Sequence, residues 1–97
     1  MTIICKQIQM TAKSSKGEAL EQLLVGLLEP SRNEQGCLKY ELYQRTEQPL
    51  QFVIIETWAS AATLDAHKLT AHFLAFKSAL PELVAEKSSL SLKPLES

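Results

Sequence analysis

Glu29–Gln44 reads EPSRNEQGCLKYELYQ, and Phe52–Phe76 reads FVIIETWASAATLDAHKLTAHFLAF. In the second stretch a strand runs directly into a helical segment. Strand alternation sends Phe52, Ile54, Glu56 and Trp58 to one face and Val53, Ile55 and Thr57 to the other. Both faces are apolar. A sheet built on such a strand needs cover on both sides, and helices on a single side leave the second face wet. The simplest cover for that face is an identical sheet, so the spacing predicts a homodimer.

The rest of the chain arranges itself around this strand. Ile3–Met10 alternates loosely and is rich in Ile, which predicts a first strand. Ser15 and Glu18 have the spacing of a capping box. Leu20, Leu23, Leu24, Leu27 and Leu28 then follow at i, i+3, i+4, i+7 and i+8, a single apolar helical stripe. Pro30 is expected to bend this helix or end its regular part near Glu29, and Gly36 to turn the chain into the next strand. Cys37–Gln44 alternates, with Leu38, Tyr40 and Leu42 on one face, and Thr46–Leu50 reads as a hairpin connection into Gln51–Trp58. Ser60 and Thr70 are N-cap candidates for a short helix from Ala61 to about His67 and a second one carrying Phe73, Phe76 and Leu80. Pro81 ends or kinks that helix, and Ser88–Leu95 alternates again. The order is β-α-β-β-α-α-β. It predicts an α+β, ferredoxin-like fold, a four-stranded antiparallel sheet with its helices on one face, in a single domain over 1–97.

Composition narrows the function classes. Net charge is −1 with acids and bases interspersed, so no basic stripe points to nucleic acid and no polybasic patch to an anionic membrane. MTIICKQIQM lacks a charged n-region and a long apolar run, which predicts no signal peptide and a cytoplasmic setting. Cys5 and Cys37 fit no zinc or redox spacing and read as free thiols in strands. Only three glycines occur, and neither a phosphate-binding loop nor a dinucleotide fingerprint is present.

The titratable groups concentrate after the third strand. His67 and His72 are five residues apart across a predicted helix break, not the i, i+4 spacing of helical metal ligands, so no metal is expected. Imidazole suits proton transfer near neutral pH, and either histidine is a candidate base. His72 is the preferred one, since the first turn of a helix favours the neutral ring. Glu56, on the Trp58 face, is either an orienting acid for a histidine or a structural carboxylate in a salt bridge to Lys or Arg or hydrogen-bonded to a histidine of the helical segment. Trp58, Phe73 and Phe76 are core by default, though an apolar cavity under the short helices would be lined by some of them. Tyr40 reads as a core ring with its hydroxyl at the rim. Asp65 reads as solvated.

The chain resembles the antibiotic biosynthesis monooxygenase (ABM) domain. The resemblance rests on Glu34-x-Gly36-Cys37 followed by Tyr40, on Glu56-Thr57-Trp58 ending a strand, and on Asp65, His67, His72 and Phe73 beyond it. It implies a dimeric α+β barrel packed sheet to sheet. It also implies a monooxygenase that oxidises a phenol or quinol with O2, using no metal and no organic cofactor. Transferred to this chain, the proton acceptor is His67 or His72. Trp58, Phe73 and Phe76 hold the substrate ring, and Tyr40 or Gln7 bonds its oxygens. Haem-degrading domains of similar fold carry Asn in the first strand and a His on a later helix; here stand Gln7 and no His after Phe76. An isomerase branch acting on a small phosphorylated ketone has a stretch similar to His67-Lys68-x-Thr70-x-His72. Oxygenase, isomerase and non-catalytic dimeric binding or stress module are thus the three classes that the sequence leaves open.

Overall fold

The structure, a computed structural model, describes residues 2–95. The elements are β1 (Ile4–Ala12), α1 (Gly17–Val25), α2 (Leu28–Arg32), β2 (Cys37–Gln44), β3 (Gln51–Trp58), α3 (Ala61–His67), α4 (Ala71–Leu83) and β4 (Val84–Leu92). The sheet has the order β2-β3-β1-β4, antiparallel throughout. This is the expected ferredoxin-like α+β fold.

The leucine stripe closes the core. Leu20, Leu24 and Leu27 are buried, with Leu23 and Leu28 packed beside them. They meet Met10, Phe52, Ile54 and Trp58, the helix-facing side of the sheet. On β3 the alternation is complete: Phe52, Ile54, Glu56 and Trp58 are buried, and Val53, Ile55 and Thr57 are half-buried on the open face.

Several local expectations give way. Ser15 does not cap α1: it has φ 72, a left-handed turn conformation, and Lys16 takes the N-cap position without a side-chain bond. The first helical stretch breaks at Gly26–Leu27 and not at Pro30. There the Leu27 amide bonds the Leu24 carbonyl, a tightened turn, before α2 begins. Pro30 lies in the first turn of α2, where a missing N–H costs nothing. Leu38 leaves the Tyr40 face, because the register of β2 against β3 shifts between Cys37 and Lys39. That bulge leaves Leu38 57% exposed while Tyr40 stays buried. Pro81 is accommodated inside α4, which runs to Leu83, so β4 starts at Val84 and not Ser88 and ends at Leu92.

Candidate functional site

Three short-range devices build the site. Ser60 and Thr63 form a reciprocal capping box that starts α3 where β3 ends, and places Leu64 and His67 on its buried side. Thr70 then turns the chain: its Oγ1 donates to the His67 carbonyl (2.7 Å) and accepts from the Phe73 amide (3.2 Å), capping α4. The third device is Gly36. It has φ 86, and a Cβ there would stand 2.4 Å from Thr63 Cγ2. Only glycine permits both the turn and the contact. The Gly36 carbonyl also accepts from the Ala59 amide (2.8 Å), so the α2–β2 loop is pinned against the start of α3.

That loop delivers Glu34. Its Oε2 accepts from His67 Nδ1 (2.5 Å) and meets His72 Nε2 (2.7 Å). The two histidines, separated by a helix break, share one carboxylate oxygen. His67 is 1% exposed and enclosed by rings. Trp58 lies 4.6 Å away between centroids, Phe73 5.1 Å edge-on, and Tyr40 5.8 Å.

In a neutral ring, an Nδ1–H donated to Glu34 leaves Nε2 as the lone-pair nitrogen. Nε2 makes no side-chain hydrogen bond among the described residues. Ser31 Oγ is the one fully buried side-chain polar atom there without a partner. His67 also lines the cavity between the sheet and the short helices.

That cavity, about 160 Å³, is also lined by Tyr40, Ile54, Glu56, Phe73 and Phe76. Glu56 is 4% exposed, and its Oε1 accepts from the Trp58 indole N–H (2.8 Å). Glu56 thus bonds neither a histidine nor a Lys or Arg, the partners expected for it; the carboxylate that meets the histidines is Glu34. Glu56 and Trp58 share a strand face two residues apart and satisfy each other. Burial, and next the nearby Glu56 carboxylate, push the Tyr40 phenol far up. Tyr40 therefore stays a protonated donor. Burial, with Glu34 and Glu56 behind it, also raises the Cys37 thiol.

Of the residues singled out from sequence, the cavity gathers Tyr40, Glu56, His67, Phe73 and Phe76. Trp58, fully buried, stands behind His67 and not on the cavity wall. His72 also stands behind it, with its Nε2 turned to Glu34, so its first-turn position does not bring the ring to the cavity. Gln7 pairs in register with Ile55 and Leu90 and lies on the open face of the sheet, away from the cavity. Asp65 is exposed, as expected.

Sequence reasoning used Glu34 only as a motif residue, because nothing local links it to histidines 33 and 38 positions away. Lys6, Lys87 and Ser89, also on the cavity, have no local link to the histidines either, whereas Lys68, named above only in the isomerase-like stretch, directly follows His67.

Glu34, His67 and His72 are the one trio of potential metal donors among the described residues, with donor atoms within 4.8 Å of one another. Two donors at about 2.1 Å from one cation and at right angles to each other stand about 3 Å apart. The 2.5 and 2.7 Å contacts are shorter and share one oxygen, the geometry of a hydrogen-bonded triad.

The chain matches the family model described as antibiotic biosynthesis monooxygenase over residues 3–79. The chain belongs to the antibiotic biosynthesis monooxygenase family. Among its relatives is the Mycobacterium tuberculosis protein named "Putative monooxygenase Rv0793", 32% identical over 79 residues, 80% of this chain and 77% of that one. A Synechocystis protein, sll1783, named as uncharacterized, is 32% identical over 80 residues, 82% of this chain; the match spans 54% of that protein's length. The crystal structure of PA3566 from Pseudomonas aeruginosa superposes with a TM-score of 0.95 at 35% identity, covering 99% of this chain and 97% of the other. In this chain the Glu34-x-Gly36-Cys37 stretch is the loop that carries the carboxylate to the imidazoles.

Proposed function

We propose that this protein is a monooxygenase that oxidises a small phenol or quinol with O2 and needs no organic cofactor or metal. One observation carries the reading: His67, whose Nδ1 is bonded to Glu34, lines an aromatic-walled cavity. Nε2 takes the phenolic proton, and Glu34 stabilises the imidazolium that results. The phenolate passes an electron to O2, and the radical pair joins at a ring carbon. The peroxide loses water to leave a quinone. One oxygen atom stays on the ring, the other leaves in water, and the substrate supplies all the electrons. Tyr40, held protonated, donates to the oxygen that becomes anionic. Phe73 and Phe76 hold the ring and keep water out.

The cavity, about 160 Å³, is small beside the roughly 300–1,000 Å³ typical of drug-sized ligands. A substrate of one or two rings fits that size. Two unpaired thiols, Cys5 and Cys37, support a reducing, cytoplasmic setting. The half-buried Val53 and Ile55, with exposed Tyr43, Leu90 and Leu92 on the same sheet face, support a homodimer formed through that face.

The test is oxygen uptake with reduced naphthoquinols and naphthols. Activity is expected in the wild type, and His67→Ala should lower turnover about a hundredfold or more. No uptake with any member of the panel, or full activity in His67→Ala, would reject the reading.

A further inference from the structure

We propose that the cavity takes an anionic ligand, an aromatic compound whose carboxylate or phosphate group is held by Lys6, Lys68 and Lys87. The aromatic half of this statement rests on the oxygenase reading; the anionic half does not. In register, Lys6 stands opposite Ser91, Ile8 opposite Ser89, and Met10 opposite Lys87, all on the helix-facing side of the sheet. Lys68 follows His67 as the C-cap of α3. Strand pairing thus brings Lys6, Lys87 and Ser89 together, and the end of α3 adds Lys68, at one cavity.

Their setting favours an anion. The chain has net charge −1, yet three of its ten Lys and Arg residues border this cavity. None of the three makes an ion pair within the described residues, where the salt bridges are those of Glu34 with His67 and His72. The only side-chain partner Lys6 has there is Ser91 Oγ, at 3.4 Å. The one carboxylate on the cavity wall, Glu56, is engaged by the Trp58 indole. Unpaired cations beside an apolar wall concentrate positive potential in the cavity. Lysine binds carboxylate and phosphate alike, as a point charge.

The sheet order also sets a distance. Tyr40 is on β2 and Lys87 on β4, three strand spacings apart, or about 14 Å. An anion held at the β4 side leaves the ring lying toward His67 and Tyr40. The anchor would therefore orient the phenol as well as bind it.

Calorimetry under anaerobic conditions separates binding from turnover. The probes are 1-hydroxy-2-naphthoate, 1-naphthyl phosphate and the neutral 1-hydroxy-2-naphthamide. The wild type is expected to bind at least one anionic probe about tenfold or more tighter than the amide. A preference for naphthoate alone names a carboxylate as the natural group, and for the phosphate alone a phosphate. In Lys6→Ala/Lys87→Ala the gap between anion and amide should close. Should that variant not fold, the wild-type gap must still shrink as NaCl is raised to about 0.5 M. Equal affinities for the three probes, or a gap indifferent to both salt and lysine removal, would overturn the proposal. Oxygen uptake by wild type and His67→Ala is read separately. An anion preference without any uptake sinks the oxygenase reading alone, and uptake with no anion preference sinks this inference alone.

Discussion

Glu34 is the residue on which the site turns, since one of its oxygens serves both imidazoles. Glu34→Gln keeps the size but lets its amide present a donor where an acceptor is needed. The substitution should cost about 1–3 kcal/mol of stability by leaving a ring nitrogen without a partner. It should also lower turnover by more than His72→Gln does, since His72 is not on the cavity wall. Urea unfolding together with initial rates for the two variants checks the order, and equal losses would count against His67 as the base. Tyr40 gives a second residue-scale test. Its folded-state pKa is raised above the unfolded value near 10, so the folded protein keeps a proton that the unfolded chain releases. Stability should be level in this respect below about pH 10 and should fall as pH rises beyond it. Tyr40→Phe should flatten that alkaline decline, as read by denaturant midpoints between about pH 9 and 11.

At the scale of elements, the contact between the α2–β2 loop and α3 decides whether Glu34 reaches its partners. Gly36→Ala combines a left-handed backbone with a Cβ driven against Thr63. The backbone alone should cost about 1–2 kcal/mol, and the clash adds to that. Because the loop must then lift from α3, both His67 and His72 should lose their bond to Glu34. Histidine side-chain NMR signals of the folded variant would show it, and wild-type signals with wild-type stability would refute the account. The bulge in β2 has a parallel effect. By ejecting Leu38 it moves the residues that follow into the register that places Tyr40 opposite Glu56.

At the scale of the whole molecule, the shape is a slab of 42 × 30 × 19 Å. The short dimension accommodates one sheet and one layer of helices, so the second sheet face has no cover in the protomer. The exposed area, 6322 Å² for 10.8 kDa, exceeds the roughly 5,500 Å² usual for a folded monomer of this mass. Ile55→Lys, which puts a charge at the centre of the open face, should convert a dimer to monomer or unfold it, as followed by sedimentation velocity and circular dichroism. A folded dimer carrying Ile55→Lys would place the contact elsewhere. No helix among the described residues is long and apolar enough to cross a membrane.

What the sequence determined by itself is what depends on short-range periodicity. The alternation over Gln51–Trp58, the leucine stripe and the caps at Ser60 and Thr70 are local patterns with local energies, and each appears in the structure with its expected face or function. The same reasoning misplaced the break in the first helix and the start of β4, where packing overrode proline and serine preferences. The site was legible only in part. His67, Glu56 and Tyr40 follow one another through adjacent elements, so their convergence could be read from the order of strands and helices. Glu34, Lys6 and Lys87 could not. Their positions depend on a glycine-only contact between a loop and a helix, and on which strands lie side by side. Residues far apart in the chain meet only when non-local packing fixes a register, and one residue of slip would send every strand side chain to the opposite face.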